Sequence, residues 1–414
     1  MDLLANAQFA IGNCQLLQIM FSTRMRLLYH LRLVGLVTTG GLCGLPVMAA
    51  GPASSDYSMF VYIGTYTGPK SQGIYVTRFD PAAGRLTSPE LAAKTANPTF
   101  LALHPNRRCL YAVAETGTWG GQPVGAVSAF RIAPETGSLT LLNQQSSGGA
   151  GPCHLALDRT GKCLLVANYG SGSIALLPLQ AEGALGQPSA TIQHHGSSLN
   201  PQRQQGPHAH FITPDPANRF LLTCDLGLDK VLLYRLDAVQ GSLAPHDPPW
   251  ATLEPGAGPR HLAFHPNGRW LFVINELASS LTAFAYDARG GSLKQLQSLS
   301  TLPATFAGNN SGAEVQVHPS GKFVYASNRG HDSIAAFAVE SRTGRLSLVA
   351  HQSTQGKTPR HFALDPTGRW LLAENQDSDN IVVFRVDAQT GRLTPAGQEV
   401  KVGSPVCVLF LALK

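Results

Sequence analysis

The chain has 414 residues, 43% of them hydrophobic and 14% charged, which is ample for a buried core and excludes a disordered or low-complexity protein. Its formal charge of +6 is too mild to imply a nucleic-acid partner, and no Lys/Arg run with interleaved aromatics appears. With 42 Gly, 28 Pro and few long amphipathic helical patterns, the composition points to many short strands joined by turns, an all-β class.

Residues 1–50 differ from the rest. Arg26 and Arg32 precede an apolar stretch from Leu33 to Met48 that ends in the small residues Ala49, Ala50 and Gly51, the layout of an export signal. Cleavage is expected after Ala49, with the true start at Met20 or Met25. The apolar run is short and interrupted by Thr38, Thr39, Gly40 and Gly41, which favours a removed leader over a retained anchor. Bulky Leu42 disfavours lipid attachment at Cys43. The expectation is a periplasmic or secreted protein without stable membrane insertion. Removing Arg24, Arg26, Arg32 and Asp2 with the leader takes the balance from +6 to +4. Five cysteines remain (Cys109, Cys153, Cys163, Cys224 and Cys407) without CxxC spacing, so neither a disulfide framework nor a zinc site is implied.

Residues 51–414 read as one domain built on a repeat. A unit recurs with an initial Pro or Gly, an apolar strand, a turn such as HPNGR and a second strand, beginning at Pro98, Pro152, Pro207, Pro259, Gly312 and Pro359. The last unit, PVCVLFLALK from Pro405, stops after one strand, and its missing half lies at the other end in MFVYIGTYTG from Met59. A third strand recurs seven times, from GIYVTRFD to DNIVVFRV, several copies ending in a GxL turn, and a less regular edge strand completes each unit. Four antiparallel strands per unit, at a repeat of roughly 50 residues, predict a seven-bladed β-propeller. Its ring is closed by pairing the N-terminal and C-terminal strands. Such a ring needs no partner for stability, so it is compatible with a monomer, and the sequence does not fix the oligomeric state.

Comparing equivalent positions separates scaffold from chemistry, because scaffold needs repeat from blade to blade and a ligand's needs do not. The residue after the initial Pro or Gly reads Thr99, Cys153, His208, Arg260, Ala313, Arg360 and Val406. The end of the second strand reads Glu115, Tyr169, Asp225, Glu276, Arg329, Gln376 and Tyr66. His208, Arg260, Glu276 and Arg329 come from successive units and supply an imidazole, a carboxylate and two guanidiniums, enough to activate water and hold an anion. His210, two residues beyond His208, is placed on the same face, and Asp225, Arg360 and Glu115 complete the candidate substrate-binding set. The bland alternative is that polar channel residues are solvated or pair with one another.

Other histidines are assigned elsewhere. His104, His265 and His318 repeat in the turns between strands, and His261 and His361 are expected to pack between blades. His194 and His195 lie in a long polar connection, HHGSSLNPQRQQG, expected to cover the substrate, and Trp119 sits in a second long loop. The chain has no GxSxG elbow, P-loop, HExxH or GxGxxG after a strand, so no metal or cofactor is called for.

These motifs, with GSSLNPQRQQGPHAHF, GPRHLAFHPNGRWLFVINEL and AEVQVHPSGKFVYASNRGHDSI most specific, resemble the β-propeller lactonase family from Met59 onward. That family includes bacterial 6-phosphogluconolactonase and, more distantly, the fungal carboxymuconate lactonizing enzyme. The resemblance implies hydrolysis of a small-molecule sugar lactone without a redox cofactor. It places the active site at His208, Arg260, Glu276 and Arg329. In that scheme His208 or Glu276 is the general base, Arg260 holds the oxyanion or a substrate anion, and Arg329 assists. An exported member is expected to open an unphosphorylated lactone or an aromatic-acid lactone. A carboxymuconate-type cyclase, or a noncatalytic propeller that binds carbohydrate or protein, stays open as an alternative.

Overall fold

A computed structural model describes residues 59–413; the leader expected at 1–50 lies outside them. Over these residues the chain forms seven antiparallel sheets around an axis, as the repeat predicts. Blades 1 to 7 begin with the inner strands Leu101–Leu103, Pro152–Leu157, Ala209–Pro214, Pro259–Phe264, Ser311–Val317, Pro359–Leu364 and Pro405–Ala412. The first six are four-stranded in sequence order from the axis outward. Blade 7 takes its inner strand from the C-terminus and the next two, Met59–Thr65 and Gly73–Asp80, from the other end, and its outer edge is split into Arg85–Leu86 and Glu90–Lys94. Pairing of Met59 with Ala412 and of Thr65 with Pro405 closes the ring.

The second strand of each blade is buried along nearly its whole length, as in CLYAVA, CLLVAN and WLFVIN, because both faces of a blade meet a neighbour. The apolar side chains fall into seven clusters, one at each blade interface, so no interface lacks its own core. The GxL turns acquire a reason here. Gly84 and Gly344 have φ of +68° and +72°, and a Cβ on either would lie 2.5 to 2.6 Å from the ring of Trp370 or Trp270 in the preceding blade. Only glycine satisfies both the left-handed backbone and the close approach. Tyrosines add a polar stitch at the same level: the Tyr62 hydroxyl donates to the Gly137 carbonyl at 2.8 Å and Tyr325 to Gly391 at 2.9 Å.

His104, His265 and His318 sit in the turns as expected, and each also reaches the next blade, where Nε2 donates to the carbonyls of Gly161, Gly321 and Gly368. All five cysteines of the domain are buried and unbridged. Among the described residues, no helix is long and apolar enough to cross a membrane.

Candidate active site

The inner strands carry a bulge near their first residues. Pro259 pairs with Asn275 and His261 with Ile274, which leaves Arg260 as the extra residue; Arg360 is placed identically between Pro359 and His361. A bulge re-aims the extra side chain, here toward one mouth of the channel. In blade 3 the bulge lies between Ala209 and Phe211, so His210 is the counterpart of Arg260 and Arg360. His208 falls two residues earlier. Counting forward from Pro207 misplaces the register, because the approach to this strand is two residues longer than in the other blades.

The second column needs a similar correction. Asp225 pairs with Ala209 and Lys230 as Asn275 pairs with Pro259 and Ser280, so the position of Glu276 is held in blade 3 by buried Leu226. Asp225 is fully buried and does not line the cavity; it accepts from the His208 and Gly227 backbone N–H groups and contacts His194 Nδ1 at 2.6 Å. It fixes the backbone around the site and is not placed to touch a ligand.

A cavity of about 280 Å³ opens at this mouth, lined by Glu115, Cys153, Tyr169, Arg203, His210, Glu276, Ser311, Arg329 and Arg360. Glu276 is its centre. Arg203 Nη2 lies 2.7 Å from Oε1, while Arg329 Nη2 and Arg260 Nε lie 2.9 and 3.0 Å from Oε2. Burial alone would raise the carboxyl pKa, but Arg329, Arg260, His210 and Arg203 together hold it well below the usual carboxylate range. The group therefore stays ionised; the stability this contributes is present above the ordinary carboxyl pKa and is lost only far into acid.

Arg260 is 2% exposed and forms the floor, its Nη1 donating to the Ala313 carbonyl at 2.7 Å. Burial, then Arg329 and Arg360, lower its pKa to about 9, so it remains cationic at neutral pH. Arg329 donates to the Gly312 carbonyl at 3.0 Å. On the other side Arg360 donates to the Tyr66 hydroxyl, which donates to Glu115 at 2.9 Å, and Thr99 caps the second carboxylate oxygen. Four guanidiniums thus surround two carboxylates, leaving two positive charges available to an anion or to an oxyanion that develops during reaction.

The two imidazoles differ sharply. His210 is buried, its Nδ1 has no partner, and burial followed by Arg260 lowers its pKa well below the usual imidazole value, so it is neutral at physiological pH. His208 is half-buried, stacked on the Tyr169 ring at 4.4 Å, with Nδ1 donating to the Tyr169 carbonyl, and it does not line the cavity.

Arg203 is absent from the sequence-based site because it belongs to no repeat. It comes from the long connection 194–206, which is a pinned strap: buried Gln204 donates to the Leu226 carbonyl and to Asp229, and Ser198 bonds the other oxygen of Asp229. That pinning delivers Arg203 to Glu276 and to the Tyr169 hydroxyl. The only available signal was the unusual length of the connection and the single arginine in it. His195 is exposed on this strap. His261 and His361 also depart from expectation: with His154 they lie on the channel axis beneath the cavity, against Phe100, and not between blades.

A larger cavity of about 390 Å³ at the junction of blades 7 and 1 is lined by Phe60, Arg107, Arg131, Leu411 and neighbours, without a carboxylate or imidazole. It lacks an acid–base pair. Among the described residues, no three His, Cys, Asp or Glu side chains converge in a way that would hold a metal ion.

Comparison with known proteins agrees with the seven-bladed fold. The family model described as Lactonase, 7-bladed beta-propeller matches residues 60–410. The chain is 39% identical over 351 residues to the 6-phosphogluconolactonase of Bacillus subtilis strain 168, covering 84% of this chain and 97% of that one. It is 36% identical to the 6-phosphogluconolactonase of Formosa agariphila over 74% of this chain and 86% of that one. Among solved structures, the periplasmic gluconolactonase of Pseudomonas aeruginosa superposes with a TM-score of 0.81 at 36% identity, covering 86% of this chain and 99% of that one.

Proposed function

This chain belongs to the seven-bladed β-propeller lactonase family, and on that premise we propose that it hydrolyses a sugar lactone in the cavity around Glu276. The observation that carries this reading is the three guanidiniums grouped about one ionised carboxylate, beside a neutral imidazole whose Nδ1 is unpartnered. Lactone opening adds water to the carbonyl carbon, passes through a tetrahedral oxyanion, breaks the bond to the ring oxygen and leaves a carboxylate and a hydroxyl. Arg329 and Arg360, on the cavity wall, are suited to the oxyanion and to the product carboxylate, with Arg260 reinforcing their field from below.

The water proton goes to His210 in this scheme and passes from it to the ring oxygen as that bond breaks, while the new carboxylic acid releases its own proton to solvent. Both oxygens of Glu276 are occupied by guanidiniums, which makes it a weak base and an anchor for the arginines, and His208 commits its Nδ1 to a backbone carbonyl. His210→Gln is therefore expected to lower kcat by about a hundredfold or more, the range of a lost general base. His208→Gln should stay within roughly fivefold of wild type on the same reasoning. Steady-state kinetics of the two variants decide; the reverse order would move the base to His208.

The leader pattern at residues 1–50 and the likeness to a periplasmic gluconolactonase support export, and an exported enzyme meets unphosphorylated lactones. A pH-stat panel with gluconolactone, its 6-phosphate and an aromatic-acid lactone tests substrate class. Preference for gluconolactone is the expected result, and no hydrolysis of any member would favour a binding propeller.

A further inference from the structure

Beneath the cavity the channel is threaded by a buried polar chain that the proposed chemistry does not use. The residue that follows the bulge position reads Phe100, His154, Phe211, His261, Glu314, His361 and Cys407 around the ring, and all but Cys407 meet one another at the axis. Four of these positions hold titratable side chains other than Cys, which is costly in so enclosed a place unless the groups are paired. They are. His261 Nδ1 lies 2.7 Å from Glu314 Oε2, His361 Nε2 lies 3.7 Å from the same oxygen, and His361 Nδ1 lies 3.0 Å from fully buried Glu374.

The upper end of the chain meets the site. Arg260 Nη1 is 3.4 Å from His261 Nε2, and an arginine has only donors, so that nitrogen must be the acceptor. Its proton then sits on Nδ1, facing Glu314. From this geometry we infer that Glu314 and His261 are positioning residues for the proposed reaction: Glu314 fixes the His261 tautomer, which presents an acceptor to Arg260 and so holds Arg260 against Glu276.

The inference rests on the lactonase reading of the cavity. It also predicts a pH response. Glu314 faces His261 and Arg260 from blade 4 and His361 and Glu374 from blade 6; burial first, opposed by His361 and Arg260, pushes its pKa up to about 7. Below that pH a protonated Glu314 can donate to His261 Nδ1, which turns an Nε2–H toward the Arg260 donor. Donor then faces donor and Arg260 loses its support, so kcat should rise as the pH passes upward through about 7.

Two variants and their combinations with Arg260→Gln test this. Glu314→Gln should lower kcat about tenfold at pH 8, change KM less than about twofold and remove the limb near pH 7. His261→Phe should do the same, and it is a tolerable residue there because Phe100 and Phe211 occupy the equivalent positions in blades 1 and 3. In the Arg260→Gln background either change should cost less than about twofold more, since residues that act through one another are not additive. Wild-type kcat and pH limb in both variants, or losses that multiply with Arg260→Gln, would overturn the inference. If Arg260→Gln loses hydrolysis while both variants keep it, the lactonase reading stands without this relay; if wild type does not hydrolyse lactones, both fall.

Discussion

Glu276→Gln is expected to lower kcat/KM for lactone opening by about 10²–10³-fold while the ring stays folded, because Arg329 loses the carboxylate that aims it and one oxyanion donor is worth about 10²–10³. Three guanidiniums lie within 3.0 Å of this carboxylate, and the amide that replaces it carries no charge to hold them together. Arg203, whose side chain is 42% exposed, is free to turn outward, whereas Arg260 and Arg329 are retained by the Ala313 and Gly312 carbonyls and are left repelling each other. Breaking a buried ion pair from one side costs about 3–5 kcal/mol, so denaturant unfolding should move by that amount without loss of cooperativity. Wild-type kinetics in a folded Glu276→Gln protein would remove Glu276 from the site.

Deleting the last strand, from Pro405 onward, should abolish the cooperative melting transition altogether. That strand supplies Val408 to the core between blades 6 and 7 and Cys407 and Leu411 to the core between blades 7 and 1, so its loss opens two interfaces at once. Burial of Val406, Val408 and Leu411 contributes about 1.5–3 kcal/mol each, roughly 5–9 together, against a net domain stability of about 5–15 kcal/mol. The deletion also strips Met59–Thr65 of its inner partner and exposes a flat apolar edge. Calorimetry reads the outcome, and an unchanged melting transition would show that the ring does not depend on closure across its termini.

The ring was legible because each blade interface imposes the same requirement. Leu110, Leu164, Leu271 and their counterparts repeat at a fixed register, and the half-units at Met59 and Pro405 reveal the closure. Arg260, Glu276, Arg329, Arg360 and Glu115 stood out for the opposite reason, being dissimilar residues at equivalent positions, and the structure gathers them at one mouth. What was hidden depends on irregularity. The bulge breaks strict alternation, so Arg260 and His261 both approach the axis although neighbours on a regular strand point apart. The two-residue extension before Ala209 puts His210, not His208, at the site position, and Asp225 lies one residue short of the Glu276 position in its blade. Arg203 reaches the cavity from a strap that no repeat predicts.

Opening of a sugar lactone in this cavity is read by pH-stat titration of gluconolactone at pH 7, since each ring opened releases one proton. With spontaneous opening subtracted, the wild-type protein should give a saturable rate that Glu276→Gln reduces to near background. A wild-type rate no greater than spontaneous opening, or equal rates from the two proteins, would contradict it.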